Sequence, residues 1–269
     1  MDAVETPALI DIGINLAHGS YDRDRAEVIA RAQAAGIAAM IVTGSTIADS
    51  ARALELCRQW PGLLRATAGV HPHHAAAFQD SDRARLADLL ADPMTVAVGE
   101  CGLDYYRNYS PPAEQRRAFG LQLELAAGLE LPVFLHQREA HADFMAMLRE
   151  HPRLLQRSLL HCFTGGSAEL EACLGAGLAI GVTGWICDER RGQPLREVVG
   201  RIPDDRLMLE TDGPYLLPRT LAPKPAHRRN EPMYLPLILE AVAACRGQAA
   251  DELAKITTAN ARRFFGLKL

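Results

Sequence analysis

Short apolar runs recur along the chain at a steady interval, and most of them stop on a polar side chain. They are 9–15, 38–44, 65–71, 95–100, 132–136, 158–161, 178–184 and 207–212. Runs of this length suit buried strands better than helices. Between them lie stretches rich in Ala, Leu, Arg and Glu with helical spacing, such as 22–35, 46–59 and 114–129, with Gly36 and Pro61 as stops. Strands alternating with helices predict a parallel sheet. Eight of them over this length predict the α/β fold class and a closed TIM (β/α)8 barrel. An open doubly wound sheet is the alternative. It is disfavoured because six of the strands carry a polar group at the same end, and a barrel mouth gathers such groups in one place. No linker or shift in composition divides the chain, so residues 1–269 are read as one domain.

The chemistry centres on Thr95–Tyr106, where a β-branched run delivers Glu100 between glycines that allow a sharp turn and a close approach. A lone glutamate there would merely open a loop, but Glu100 has company. His71 ends the third run, with Pro72 fixing the turn, and is a candidate metal ligand, proton shuttle or phosphate contact. His74 is expected in an exposed loop. His136 and His161 end the fifth and sixth runs, so a barrel would project them from neighbouring positions at its mouth. With Glu100 they form a two-His, one-carboxylate set that leaves coordination positions open. Glu210 and Asp212 lie two apart and face the same way. Asp212 is placed as a ligand or as the base for an attacking water, and Glu210, one step deeper, to orient its neighbours. Asp11 lies inside an apolar run and needs a partner or a metal if buried. Strand alternation puts it on one side with Gly13 and Asn15.

Loops add binding chemistry. After Glu100 come Asp104, Tyr105, Tyr106, Arg107 and Tyr109; aromatics interleaved with a basic residue can stack bases, or can simply close the loop. A hydroxyl helix N-cap explains the polar turn 43–46 without any function, and the Gly165–Gly166 turn is read as a source of free backbone N–H groups for an anion. The proline-rich stretch 216–230 carries Arg219, Lys224, His227, Arg228 and Arg229, a local positive patch suited to phosphate; Asn230 is read as the N-cap of the following helix. Such a patch matters because the net charge is −4, which argues against a protein that coats nucleic acid. Six scattered cysteines without a C-x-x-C pair suit reduced thiols. No apolar run approaches a membrane span, and the acidic start Met1–Pro7 lacks a basic region, so a cytoplasmic location is expected.

Taken together, 69–73, 99–104, 132–136 with Arg138, 161–165, 181–185, 187–191 and 210–216 running on to 228–232 resemble the TatD family of metal-dependent nucleases. The similarity runs from about residue 9 to the last residues. It implies a metallo-dependent hydrolase barrel with 3′-to-5′ exonuclease action on single-stranded DNA or RNA; a role in DNA repair or degradation and a monomeric state are expected beside it. It implies that Glu100, His136 and His161 bind metal, that Asp212 is a ligand or the acid/base, and that His71 contacts the scissile phosphate. Arg138, Arg190, Arg191, Arg228 and Arg229 become the candidate substrate contacts. Most relatives open with a His-x-His pair where this chain has Gly13 and Asn15. One firmly held ion is therefore expected, with Asp11, Asn15 and Glu210 supporting it or a weak second one. The resemblance implies Mg²⁺, although histidine ligands also suit Mn²⁺ or Zn²⁺. Some relatives deacylate mischarged tRNA, so an ester or amide hydrolase is the alternative activity. A degenerate barrel that only binds is the third reading, and the retained Glu100, His136, His161 and Asp212 speak against it.

Overall fold

The computed structural model describes residues 8–268, so the acidic start Met1–Pro7 lies outside the described residues. Eight strands form one sheet: β1 Leu9–Ile14, β2 Ile37–Val42, β3 Leu64–Ala68, β4 Thr95–Asp104, β5 Val133–Arg138, β6 Ser158–Leu160, β7 Ala179–Val182 and β8 Leu207–Leu209. They lie in chain order, each parallel to the next, as the alternating pattern predicts. The helices are α1 Arg25–Ala34, α2 Ile47–Gln59, α3 Asp82–Leu90, α4 Pro112–Leu129, α5 His141–Arg149, α6 Ser167–Ala176, α7 Gln193–Val198, α8 Leu235–Arg246 and α9 Ala250–Phe265. The fold is a TIM barrel. Parallel strands need crossovers, and the crossover helices bury the outer faces of the strands.

Two apolar layers result. The outer one lies between strands and helices and includes Val28, Leu54, Phe119 and Leu239. The inner one fills the barrel with Ile10, Ile12, Ile41, Phe134, Leu159 and Met208. Ala261 and Phe265 of α9 join that inner layer, so α9 plugs the amino-terminal end of the barrel. Asn260 of α9 donates to Leu207 O at 2.8 Å, and Thr258 donates to Ala8 O at 2.7 Å, which ties the plug to both β8 and β1. With that end closed, the opposite end is left for chemistry.

The ring closes between β1 and β8 just beyond the regular ladder. Asp212 N–H donates to Gly13 O, and Asn15 N–H donates to Gly213 O, both at 2.8 Å. Between them sits Asp11, fully buried. Its carboxylate accepts from Thr211 N–H at 2.9 Å, from the Thr211 hydroxyl at 2.5 Å and from Gly13 N–H at 3.3 Å. Asp11 therefore latches the seam. The expectation that it shares a face with Gly13 and Asn15 near the metal fails because the pairing of β1 with β2 slips between Asp11 and Ile14. Ile10 and Ile12 point into the barrel, and Asp11 between them points the other way.

The hydroxyl N-cap expected in the turn 43–46 is Thr46, whose oxygen caps α2 by accepting from Asp49 N–H at 3.0 Å. Asn230 does not cap a helix. Its amide donates to Thr211 O at 2.8 Å and its backbone N–H to Pro214 O at 3.0 Å, pinning the end of the long loop to β8, while Pro232 begins a separate 3₁₀ turn before α8. All six cysteines are free. Among the described residues no helix is long and apolar enough to cross a membrane.

Candidate metal and catalytic centre

Two glycines in β4 explain how Glu100 and His136 meet. Gly99 and Gly102 both have φ +140°, and a Cβ on either would fall on a carbonyl oxygen of β5, that of Phe134 or of His136. Only glycine lets β4 lie this close to β5. Gly69, at the end of β3, approaches so closely that its Cβ would lie 2.6 Å from the Gly99 backbone. The β4 ladder resumes with Cys101 opposite Leu135 and continues with Gly102 opposite His136, and Glu100 N–H turns to Gly44 O at 2.8 Å.

Glu100 is then the hub of three imidazoles. Its Oε1 lies 2.7 Å from His161 Nε2, 3.0 Å from His136 Nδ1 and 3.2 Å from His71 Nε2. The far nitrogens of two of these rings face further carboxylates. His161 Nδ1 is 3.3 Å from Glu210 Oε2, and His136 Nε2 is 3.3 Å from Asp104 Oδ2. A carboxylate behind an imidazole orients the ring and makes it a better donor, as around metals. Glu210 also accepts from Cys162 N–H at 2.6 Å. It fits because its two oxygens occupy the space where Cβ atoms of Gly13 and Gly181 would be. Gly13 thus makes room for Glu210 directly.

His71 differs from the other two. Its Nδ1 accepts from His73 N–H at 3.0 Å, so in the neutral ring the proton sits on Nε2, which points at Glu100. One nitrogen each of His71 and His136 and a Glu100 oxygen lie within 4.8 Å of one another, a spacing that admits a cation. The backbone bond to Nδ1 nevertheless favours His71 as an N–H donor over His71 as a ligand.

The charges are matched unevenly. Burial resists ionisation of Glu100, but the charges of His161 and His71 and hydrogen bonds from His136 and His161 outweigh it and hold the carboxyl well below its ordinary range. Burial likewise opposes a charge on His161, yet Glu100 and Glu210 raise it well above the usual imidazole value. Burial pushes His71 down to about 4 against the pull of Glu100, which favours the neutral ring near neutral pH. Burial pushes Asp212 up to about 8, with the charge of His161 opposing and Glu100 and Glu210 adding to the rise. Among the described residues the Asp212 carboxyl accepts only from the Asn15 amide, at 3.1 Å. Two imidazole nitrogens backed by carboxylates, the Glu100 oxygen and the Asp212 carboxyl, which has no salt bridge among the described residues, make a donor set that fits a divalent cation.

These groups open into a cavity of about 550 Å³ at the carboxyl ends of the strands. Asn15, His71, Glu100, His136, His161 and Asp212 line it, and so does Arg138. Glu210 lies just behind, through His161. The other expected substrate contacts are not among the lining residues. Arg229 bridges Asp24 and Glu231 at 2.6 and 2.7 Å and stands 4.8 Å over the Tyr21 ring, so it fastens the long loop to the α1 side. Arg191 pairs with Asp188 at 2.9 Å and covers Trp185, Arg190 is exposed on that loop, and Arg228 is exposed on the long loop. Arg219 pairs with Glu189 at 2.6 Å. The patch expected in 216–230 is thus partly neutralised. At the Gly165–Gly166 turn the Glu169 carboxylate lies against Gly165, a negative charge beside the N–H groups expected to meet an anion, while Gly166 faces open space. His74 is exposed, as expected.

Sequence reasoning passed over Asp104 as an orienting group, and over His73, whose Nε2 is 2.8 Å from Asp104 Oδ2. A signal existed: Asp104 stands four residues after Glu100, an even spacing that shares a strand face. Arg107 also lines the cavity.

Residues 10–266 match the family model described as TatD related DNase. The chain is 54% identical over 259 residues to the "3'-5' ssDNA/RNA exonuclease TatD" of Erwinia amylovora, covering 96% of this chain and 100% of that one. It is equally similar, 54% with the same coverage, to the protein of that name from Edwardsiella piscicida. Among solved structures, the TatD homologue YJJV from Escherichia coli superposes with a TM-score of 0.89 at 28% identity, covering 97% of this chain and 98% of that one.

Proposed function

The chain belongs to the TatD-related DNase family of hydrolases, and from that premise we propose that it is a divalent-metal-dependent 3′-to-5′ exonuclease acting on single-stranded DNA or RNA. The observation that carries this reading is the convergence of Glu100, His136, His161 and Asp212, from four strands, in one cavity that Arg107 and Arg138 also line. Glu100, His136 and His161 would hold the ion, with Asp212 beside them. We assign Mg²⁺, the donor set also admitting Mn²⁺ or Zn²⁺. When bound, the ion supplies Lewis-acid charge at the scissile phosphate and to an attacking water.

The chain's own groups account for the remainder. Asp212 takes the proton of the attacking water, a task for a carboxyl whose pKa burial has moved toward neutrality. His71, with its Nε2 proton held in place from behind, donates to a phosphate oxygen. Glu210 and Asp104 keep His161 and His136 in position. Arg138 and Arg107 stabilise the charge that develops on the phosphate. Glycine at 13 and asparagine at 15 favour a single firmly held ion. We assign the activity to a monomer, in the cytoplasm, and read the chain as one domain.

The test is digestion of a 5′-labelled single-stranded oligonucleotide with Mg²⁺, Mn²⁺, Zn²⁺ or EDTA, beside the Glu100→Ala variant. A ladder shortening from the 3′ end, lost with EDTA and in the variant, is expected. An intact label under every metal refutes the exonuclease reading, and hydrolysis of charged tRNA by the same preparation would replace it with an aminoacyl-ester hydrolase.

A further inference from the structure

The exposed aromatic side chains of this protein are not scattered. Among the described residues the exposed large apolar side chains are Tyr106, Tyr109, Leu129 and Tyr215, at 52%, 67%, 42% and 53%. The three tyrosines all follow the carboxyl ends of β4 or β8, beside the mouth of the cavity. Tyrosines that hold this structure together have anchored hydroxyls. Buried Tyr21 donates to Asn230 O at 2.6 Å, and Tyr105 donates to Asp143 at 2.7 Å. The hydroxyls of Tyr106, Tyr109 and Tyr215 have no such partner among the described residues. Solvent-facing rings without anchored hydroxyls, gathered at one opening, mark a surface that binds something flat.

Their placement separates them. One face of Tyr106 is taken by the Arg138 guanidinium, 3.9 Å from the ring centre, so Tyr106 serves to hold Arg138 over the cavity. Trp185 is likewise covered by Arg191 at 4.4 Å. Tyr109 and Tyr215 carry no guanidinium and both line the cavity. They rise from β4 and β8, four strands apart in a ring of eight, and so stand on opposite walls. Tyr109 meets the His73 ring edge-on at 4.7 Å, His73 meets His71 at 4.2 Å, and His71 meets His136 at 4.5 Å. A continuous file of rings therefore leads from Tyr109 at the rim to Glu100 at the centre.

We propose that Tyr109 and Tyr215 form a two-walled stacking clamp for the unpaired bases next to the scissile phosphate, so that these two side chains impose the requirement for a single strand. The proposal rests on the nuclease reading. Every nucleobase offers a π-face, so such a clamp holds a strand without reading its sequence. A base-paired end keeps its bases stacked on one another and presents neither face to the tyrosines until it unpairs, at a cost. The polar centre, which meets only phosphate and water, cannot make that distinction.

The experiment measures binding of a 5′-fluorescein single-stranded oligonucleotide by anisotropy, with Mg²⁺ present and phosphorothioate linkages at the 3′ end to resist cleavage. Wild type is compared with Tyr109→Leu, Tyr215→Leu and the double variant, each checked by thermal melting. Each substitution is expected to weaken binding about tenfold, in the range known for base–aromatic stacking. An oligonucleotide whose last 3′ nucleotides are abasic should bind wild type as weakly as the intact strand binds the double variant, and should weaken the double variant no further. Unchanged affinity in the double variant overturns the proposal, as does an abasic penalty equal in wild type and double variant. Turnover is scored separately on an unmodified strand. A wild type that binds through the clamp but releases no nucleotides refutes the nuclease reading and leaves the clamp standing as a binding site.

Discussion

The seam latch offers the sharpest test of the fold. Asp11 is fully buried, and its two oxygens satisfy Thr211 N–H, the Thr211 hydroxyl and Gly13 N–H. Asp11→Ala leaves these donors facing a small apolar gap, and each unsatisfied buried donor costs about 1–3 kcal/mol. The long 3.3 Å bond from Gly13 counts least, so a loss of roughly 3–5 kcal/mol is expected. Asp11→Asn is the informative partner. Burial pushes the Asp11 carboxyl up to about 7, against the hydrogen bonds from Thr211 and Gly13 and with Glu210 adding to the rise. The neutral form therefore prevails in the folded chain below that pH, and an amide reproduces its shape: the oxygen accepts from both N–H groups and the nitrogen donates to Thr211 Oγ1. The variant should lie within about 1 kcal/mol of wild type at pH 6. The sign of the pH effect follows from the raised pKa. Between about pH 4 and 7 the unfolded chain loses a proton that the folded chain keeps, so this residue's contribution to stability falls as pH rises through that window and is level above it. The fall is on the order of 4 kcal/mol at most. The assay is urea unfolding of the metal-free protein from pH 5 to 8, followed by circular dichroism. The Asp11 contribution is read as the difference between wild type and Asp11→Asn, which cancels other titrating groups. The reasoning is refuted if Asp11→Ala is as stable as wild type, or if Asp11→Asn keeps the full pH slope.

The centre yields further tests. Asp212→Asn should lower turnover roughly 10²- to 10⁴-fold, the usual worth of a general base. Because burial raises the Asp212 pKa to about 8, its carboxylate burdens the fold at alkaline pH, so the same variant should melt no lower than wild type at pH 9; a drop in melting temperature there counts against the assignment. A saturating divalent ion, at about 100 times its Kd, should add about 2.7 kcal/mol and raise the melting temperature by about 5–10 °C. Glu100→Ala and His161→Ala should abolish that shift, and a shift that survives in both would place the ion elsewhere. Gly13→Ala would drive a methyl group into Glu210 Oε2 and to 3.1 Å from Phe134, so a loss of about 1–3 kcal/mol and weaker metal binding in calorimetry are expected; wild-type behaviour would mean that Glu210 has no fixed place.

The barrel was legible because its signals are redundant. Each of the eight apolar runs falls on an observed strand, and the polar residues ending several of them meet at the mouth. What could not be read was which way a given charge turns once in place. Arg229 and Arg219 sit in a basic loop, but carboxylates from distant segments, Asp24 and Glu189, claim them. Such pairings connect residues far apart in sequence, and no local pattern records them. Asp11 was recognisable as a group needing a partner, but the slip of β1 against β2 turned it from the cavity to the seam. Alternation holds only while the pairing is regular. Asn230 looked like a cap because asparagine before a turn usually is one, and here its amide has a tertiary carbonyl to meet instead.

The position of the latch also governs how the molecule is made. Asp11 and Thr211 are separated by 200 residues of chain, so during synthesis β1 stands without its second neighbour until nearly all of the sheet has left the ribosome. Through that interval the growing sheet has two open edges, and open edges recruit other strands. Joining them is a late and long-range event, which contact-order arguments make slow. A chain released before Thr211 would keep a first strand paired on one edge only, with the Asp11 carboxylate lacking its Thr211 donors. Newly made molecules are thus most vulnerable to aggregation just before completion.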